Sequence, residues 1–115
     1  MTEDPMLPQP LCRLDEIADG GSAGFTATVH GALARILVVR KGLDVYIYLN
    51  SCPHIHAPLD FVPGQFLNLD KTLISCSTHG ALFQIVDGHC LSGPCVGKHL
   101  TKVACAVRGG AVWIE

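Results

Sequence analysis

Two short motifs constrain this chain more than anything else in it. Cys52-Pro53-His54 and Cys76-Ser77-Thr78-His79-Gly80 each set a thiol beside an imidazole, with residues 55 through 75 between the pairs. Thiolate and neutral imidazole are donors that transition metals take, and two pairs supply four of them. The surrounding composition agrees. The 115 residues include six Cys and six His, and the acidic, proline-rich start over residues 1–10 lacks the basic then apolar pattern of a secretory signal. A cytoplasmic location and a loose N-terminal tail are expected. Thiols stay reduced in that compartment, so an excess of cysteine there suggests metal before it suggests disulfides.

The rest of the chain reads as an antiparallel all-β domain. At this length one domain over 1–115 is expected. Residues 24–30 alternate in type, 32–40 end in the β-branched run Ile36-Leu37-Val38-Val39, and Lys41-Gly42 suggests a turn into 43–49. On that last strand Leu43, Val45, Ile47 and Leu49 would share one face, giving a half-buried pair. Asp87-Gly88 signals a hairpin between 82–85 and 89–91, and Gly109-Gly110 joins 101–108 to 111–114. Between these runs, at about 50–84, lies an insert of Cys, His, Pro and Gly that holds both motifs. With 8 Lys and Arg against 10 Asp and Glu, for a net charge of -2, there is no basic footprint for nucleic acid or anionic lipid. No apolar stretch approaches the length of a membrane span.

Two thiolates and two imidazoles admit two metal readings. One is a tetrahedral structural Zn²⁺ site without redox chemistry. The other is a [2Fe-2S] centre in which two His replace two Cys on one iron. The residues around the motifs, Cys52-Pro53-His54-Ile55-His56-Ala57-Pro58-Leu59 and Cys76-Ser77-Thr78-His79-Gly80-Ala81-Leu82-Phe83, resemble the paired cluster loops of Rieske iron–sulfur proteins. The Asp87-Gly88 hairpin and Gly93-Pro94 extend the likeness from about Leu43 to the C-terminus. The resemblance implies a Rieske-like antiparallel β-sandwich or barrel with a loop-rich cluster-binding subdomain. It implies one [2Fe-2S] cluster, with Cys52 and Cys76 on one iron and His54 and His79 on the other.

Ligand charge explains the mixed set. Two ferric ions, two sulfides and two thiolates sum to zero when both imidazoles are neutral, so accepting an electron is easier than at a four-thiolate centre. The respiratory branch of the family carries a disulfide between the loops and a Ser and a Tyr that donate to the cluster sulfurs. This chain has no Cys for that disulfide and offers Ala81 and Phe83 at the hydroxyl positions, a pattern similar to the ferredoxins of aromatic-ring dioxygenase systems. Gly93-Pro94-Cys95-Val96-Gly97 resembles the family's proline loop beside the cluster, with Cys95 where a small residue is usual.

The functional expectation is a one-electron carrier, not itself an enzyme. By resemblance it would take electrons from a flavin-dependent reductase and pass them to a terminal oxygenase or reductase in transient encounters. His54 and His79 would sit at an apolar tip formed by Pro58, Leu59, Phe61 and Pro94. The chain is too short to add the mononuclear iron domain of a Rieske oxygenase. Two alternatives are an accessory subunit resembling the small subunit of nitrite reductase and a zinc-stabilised interaction module. Cys12 and Cys105 are expected as buried filling, Cys90 and Cys95 as thiols near enough in sequence to pair, and Cys95 beside the cluster. His56 is expected as an exposed spectator, while His30, His89 and His99 receive no function. With fewer hydroxyl donors, the midpoint potential should fall at the low end of the family range, about -150 mV. Spectroelectrochemistry tests this, and a strongly positive midpoint would refute it.

Overall fold

The one long β-branched run of the chain becomes its central strand. The computed structural model describes residues 10–53, 58–60, 64–68, 70–76 and 80–115. Among these residues the strands are β1 (Cys12–Arg13), β2 (Ser22–Val29), β3 (Ala32–Lys41), β4 (Asp44–Leu49), β5 (Leu73–Ser75), β6 (Leu82–Gln84), β7 (Cys90–Ser92), β8 (Lys102–Val103), β9 (Cys105–Arg108) and β10 (Ala111–Ile114), with a 3-10 turn at Leu14–Glu16. They form three sheets, in the orders β1-β10-β9, β2-β3-β4-β8 and β5-β6-β7. The described pairings are all antiparallel. The all-β antiparallel expectation is met.

Turn chemistry sets the registers. His30-Gly31 joins β2 to β3 with φ of 50° and 80°, so that Val29 faces Ala32. Positive φ at both central residues gives a turn whose twist matches that of the flanking strands. The turn after β3 is one residue later than expected. Lys41 pairs with Asp44, which makes Gly42 and Leu43 the turn residues. Leu43 is therefore 77% exposed and not on the inward face with Val45, Ile47 and Leu49. The run 101–108 also divides: β8 pairs with β4, whereas β9 pairs with β10.

The β3–β4 pair is buried on both faces, contrary to the half-buried reading. Ile36, Leu37, Val38 and Val39 are all at 0% exposure. Ile36, Val38 and Ile47 join a core with Cys12, Leu14, Ile17, Val103 and Val112, roofed by the β1-β10-β9 sheet. Leu37, Val39 and Tyr48 face the other way, into a core shared with the β5-β6-β7 sheet and the loops around it. The central sheet is thus the middle of three layers. Tyr48 is fully buried, and its hydroxyl donates to the Ile85 carbonyl at 2.6 Å. Burial first, then the nearby Asp87 charge, pushes that phenol up to about 12.

The six cysteines sort between these cores. Cys12 lies in the first and Cys105 packs against it, with the Cys105 thiol directed at the Val45 carbonyl, 3.5 Å away. Cys52, Cys76, Cys90 and Cys95 all lie in the second. Burial on β3 gives a direct test. Ile36→Ala should cost about 2–5 kcal/mol of unfolding free energy. Leu33→Ala on the same strand, at a side chain 76% exposed, should stay within about 0.5 kcal/mol. Urea titration of the two variants checks the contrast.

Candidate metal centre

Both predicted thiol ligands stand at the inner ends of loops that leave the central and third sheets. Cys52 follows β4, and Cys76 directly follows β5. Their exposures are 0% and 1%, and both belong to the same apolar core as Leu59, Phe66, Ala81, Phe83, Cys90 and Cys95. Among the described residues no charged side chain is buried, and the polar groups inside are thiols and the Tyr48 hydroxyl. Cysteine is the donor residue such surroundings suit, because its neutral thiol packs as a small hydrophobe and its sulfur, once deprotonated, binds soft metals. His54, His56, Phe61 and His79 lie outside the described residues. Among the described residues no group of three or more His, Cys, Asp or Glu side chains is placed to hold a metal ion.

Each loop is closed by its own device. After β4 the chain is anchored by backbone bonds from Asn50 N–H to the Arg35 carbonyl and from Ser51 N–H to the Leu49 carbonyl, both 2.9 Å. The Asn50 side chain then reaches across the loop. Its Oδ1 accepts from Leu59 N–H at 2.8 Å, and its Nδ2 donates to Asp60 Oδ1 at 3.0 Å. Asp60 Oδ2 in turn accepts from Gly64 N–H at 3.0 Å. The two ends of the loop that starts at Cys52 are clasped by one amide. In the second loop, Cys76 N–H donates to the Ala81 carbonyl and Gly80 N–H to the Cys76 carbonyl, each at 2.9 Å. Gly80 takes φ +69° to make that return.

A third segment packs against these two. A Cβ on Gly93 would stand 2.7 Å from Ala81 Cα, so only glycine allows the 93–97 turn to lie on the second loop. The turn is pinned by bonds from Cys90 N–H to the Lys98 carbonyl and from Lys98 N–H to the Cys95 carbonyl, each 2.9 Å. It directs Cys95 inward, at 1% exposure, while Pro94, Val96 and Gly97 face outward. The Cys95 and Cys90 sulfurs are 3.2 Å apart as a hydrogen-bonded pair, and Cys90 donates to the Ser92 carbonyl at 3.2 Å. Burial, reinforced by the hydrogen bond and charge of Cys90 and then by Cys52, pushes the Cys95 thiol up to about 12.

Several site expectations change. Leu59 is fully buried, so it supports the loop from within and is not part of an exposed tip. Pro58 and Pro94 are exposed as expected. His89 and His99 face one another across an isolated antiparallel bridge, an arrangement their sequence separation hides. Asn50 and Asp60 went unassigned in the sequence. Their signal was available: Asn at the end of a strand and Asp at the start of a loop are the residues that bond to local backbone N–H groups.

A family model described as the Rieske [2Fe-2S] domain matches residues 8–107, which include both motifs and the 93–97 turn. Among solved structures, the chain is similar to the ferredoxin of carbazole 1,9a-dioxygenase from Nocardioides aromaticivorans IC177, at 26% identity and a TM-score of 0.72 over 94% of this chain and 96% of that one. A chain from the complex of reduced oxygenase and oxidized ferredoxin in carbazole 1,9a-dioxygenase also matches at 26% identity and TM-score 0.72, covering 93% and 91%. A Sphingomonas yanoikuyae B1 ferredoxin shares the fold at 23% identity and TM-score 0.70, covering 95% and 98%. No curated protein matches. Among the described residues no helix is long and apolar enough to cross a membrane.

The clasp of the first loop can be tested by itself. Asn50→Ala leaves the N–H of the fully buried Leu59 without its acceptor and should cost about 1–3 kcal/mol in denaturant unfolding. Asn50→Asp keeps that acceptor but turns the contact with Asp60 into a repulsion, so it should recover only part of the loss. Stability unchanged in Asn50→Ala would show that the amide does not hold the loop.

Proposed function

We propose that this chain, which belongs to the Rieske [2Fe-2S] domain family, is a one-electron carrier that serves an oxygenase. The observation that carries the proposal is the burial of Cys52 and Cys76, at 0% and 1%, in one apolar core at the roots of two independently closed loops. The family binds one [2Fe-2S] cluster. We assign Cys52, His54, Cys76 and His79 as the residues that hold it, within a single domain over 1–115 whose cluster-binding part spans about 50–84. When bound, the cluster supplies one reversible electron at a potential set by ligand charge, hydrogen bonds and exposure.

The protein's own contribution is support and insulation. The Asn50 clasp and the bonds of the 76–81 return fix the backbone around each Cys. Leu59, Phe83, Ala81 and the inward side of the 93–97 turn keep water from the thiol side. Pro58, Pro94 and Val96, the last 63% exposed, leave apolar surface outside for a partner. A brief encounter suits a carrier, because it must release its partner after each electron. The structure of an oxygenase in complex with its ferredoxin supports a terminal oxygenase as acceptor, and we assign a flavin-dependent reductase as donor, both in the cytoplasm. The chain would carry out no substrate chemistry of its own.

Anaerobic purification with spectroscopy tests this reading. A red-brown protein with broad visible bands, a reduced-state electron paramagnetic resonance signal of low average g and one electron per chain on titration is expected. His54→Cys, where it assembles, should move the spectrum toward that of an all-thiolate ferredoxin. A colourless, zinc-containing protein would overturn the proposal, as would an unchanged His54→Cys spectrum.

A further inference from the structure

β2 is an open edge of the central sheet: it pairs with β3 on one side and with no described strand on the other. At eight residues it is long for an edge, since the other outer strands, β1, β5, β7, β8 and β9, have two to four. Proteins blunt such edges with charged side chains, proline or a bulge. Ser22-Ala23-Gly24-Phe25-Thr26-Ala27-Thr28-Val29 has no charged residue and no proline, and its register with β3 runs without a break.

The same register fixes which backbone groups are free. Val29 and Ala32 flank a two-residue turn, so they form a hydrogen-bonded pair, and such pairs alternate along an antiparallel ladder. Ala23, Phe25, Ala27 and Val29 therefore turn their N–H and C=O groups toward β3. The bond from Arg40 N–H to the Gly21 carbonyl, 3.0 Å, keeps the same phase at the far end. Gly24, Thr26 and Thr28 turn their groups outward. All three are exposed, and their N–H and C=O groups make no further backbone bond among the described residues. Ser22 differs, because its hydroxyl donates to the Gly64 carbonyl at 2.8 Å and accepts from Phe66 N–H at 3.2 Å. The open strip is thus Gly24 to Thr28. Beside it runs a cleft of about 570 Å³ whose lining includes Leu11, Ala27, Trp113 and Ile114.

We propose that this edge pairs with the same edge of a second copy, forming a two-fold dimer through an antiparallel β2–β2 junction. The strip is complementary to itself, as a two-fold contact requires. With Thr26 opposite its own copy, Gly24 meets Thr28 and Thr28 meets Gly24, so every outward N–H and C=O of the strip finds a partner. On the inner face Phe25 of one chain falls beside Ala27 of the other. Both are half-buried in the monomer against the first core, and their apolar row continues across the junction. No charged side chain of β2 meets its copy, and a net charge of -2 per chain adds little repulsion.

Sedimentation equilibrium of the full chain, purified anaerobically, tests the proposal. One strand pair is smaller than the interface of a stable complex, so the wild type should pass from monomer to dimer over about 10–500 µM. Thr26→Lys and Thr26→Glu each set like charges opposite one another at the centre of the junction and should weaken the dimer about tenfold or more. Both change an exposed side chain, and circular dichroism checks that the fold is kept. Mixed in equal amounts, the two variants set Lys against Glu and should recover the dimer. A wild type that stays monomeric throughout the range overturns the proposal and leaves the edge to a strand of another protein. A dimer equally strong in the wild type and both variants, or no recovery on mixing, also overturns it. None of these outcomes touches the cluster assignment.

Discussion

The rest of the structure depends on the burial of Ile36, Leu37, Val38 and Val39 on both faces of one sheet. Burying a side chain of this type stabilises by about 1.5–3 kcal/mol, and here four in succession divide their contributions between two cores. The even and odd positions of β3 and β4 face opposite layers, so the central sheet fixes the β1-β10-β9 sheet on one side and the loop-bearing β5-β6-β7 sheet on the other. A one-residue slip of β3 would exchange the two sets of side chains. The register set by His30-Gly31 and Gly42-Leu43 therefore governs where Cys52, three residues beyond β4, enters its core.

Division of labour between the layers follows. The core under β1-β10-β9 is an ordinary apolar filling in which Cys12 acts as a small hydrophobe, whereas the other collects four thiols and both loop roots. Loops that carry ligands need precise ends, because a donor misplaced by about 1 Å weakens a site. This chain meets that need with local bonds: the Asn50 amide and Asp60 carboxylate for the first loop, backbone bonds of Cys76 and Gly80 for the second, and the close contact of Gly93 on Ala81 for the turn between them and solvent. None of these devices draws on long charged side chains, in keeping with a core that buries no charge among the described residues.

Much of this was legible in the sequence. The family, the antiparallel all-β class and the Asp87-Gly88 and Gly109-Gly110 turns are legible in local signals, carried by residue types whose chemistry or φ preference has few uses. What escaped was long-range. The half-buried reading of β3 and β4 assumed one core, and an unbroken apolar run does not reveal how many layers will cover it. Leu43 reads as a strand-face residue because its apolar side chain at period two outweighs a turn shifted by one position. Leu59 reads as part of the tip because proximity in sequence to Pro58 does not show that the residue held by the Asn50 clasp is buried. Residues 101–108 looked like one strand, since nothing local shows that its two halves pair with different sheets.

The thiol pair in the second core shows how sulfur can fill an apolar interior and satisfy its own hydrogen bonding. A hydroxyl placed there would bring a desolvation penalty of about 1–3 kcal/mol whenever its acceptor was missing. Cysteine carries much less of that penalty, because it packs as a small hydrophobe and donates weakly. Cys90 and Cys95 satisfy one another and the Ser92 carbonyl, so the core closes without leaving either thiol unpaired. A weak donor inside the core thus avoids the loss of stability that an unpaired hydroxyl would bring.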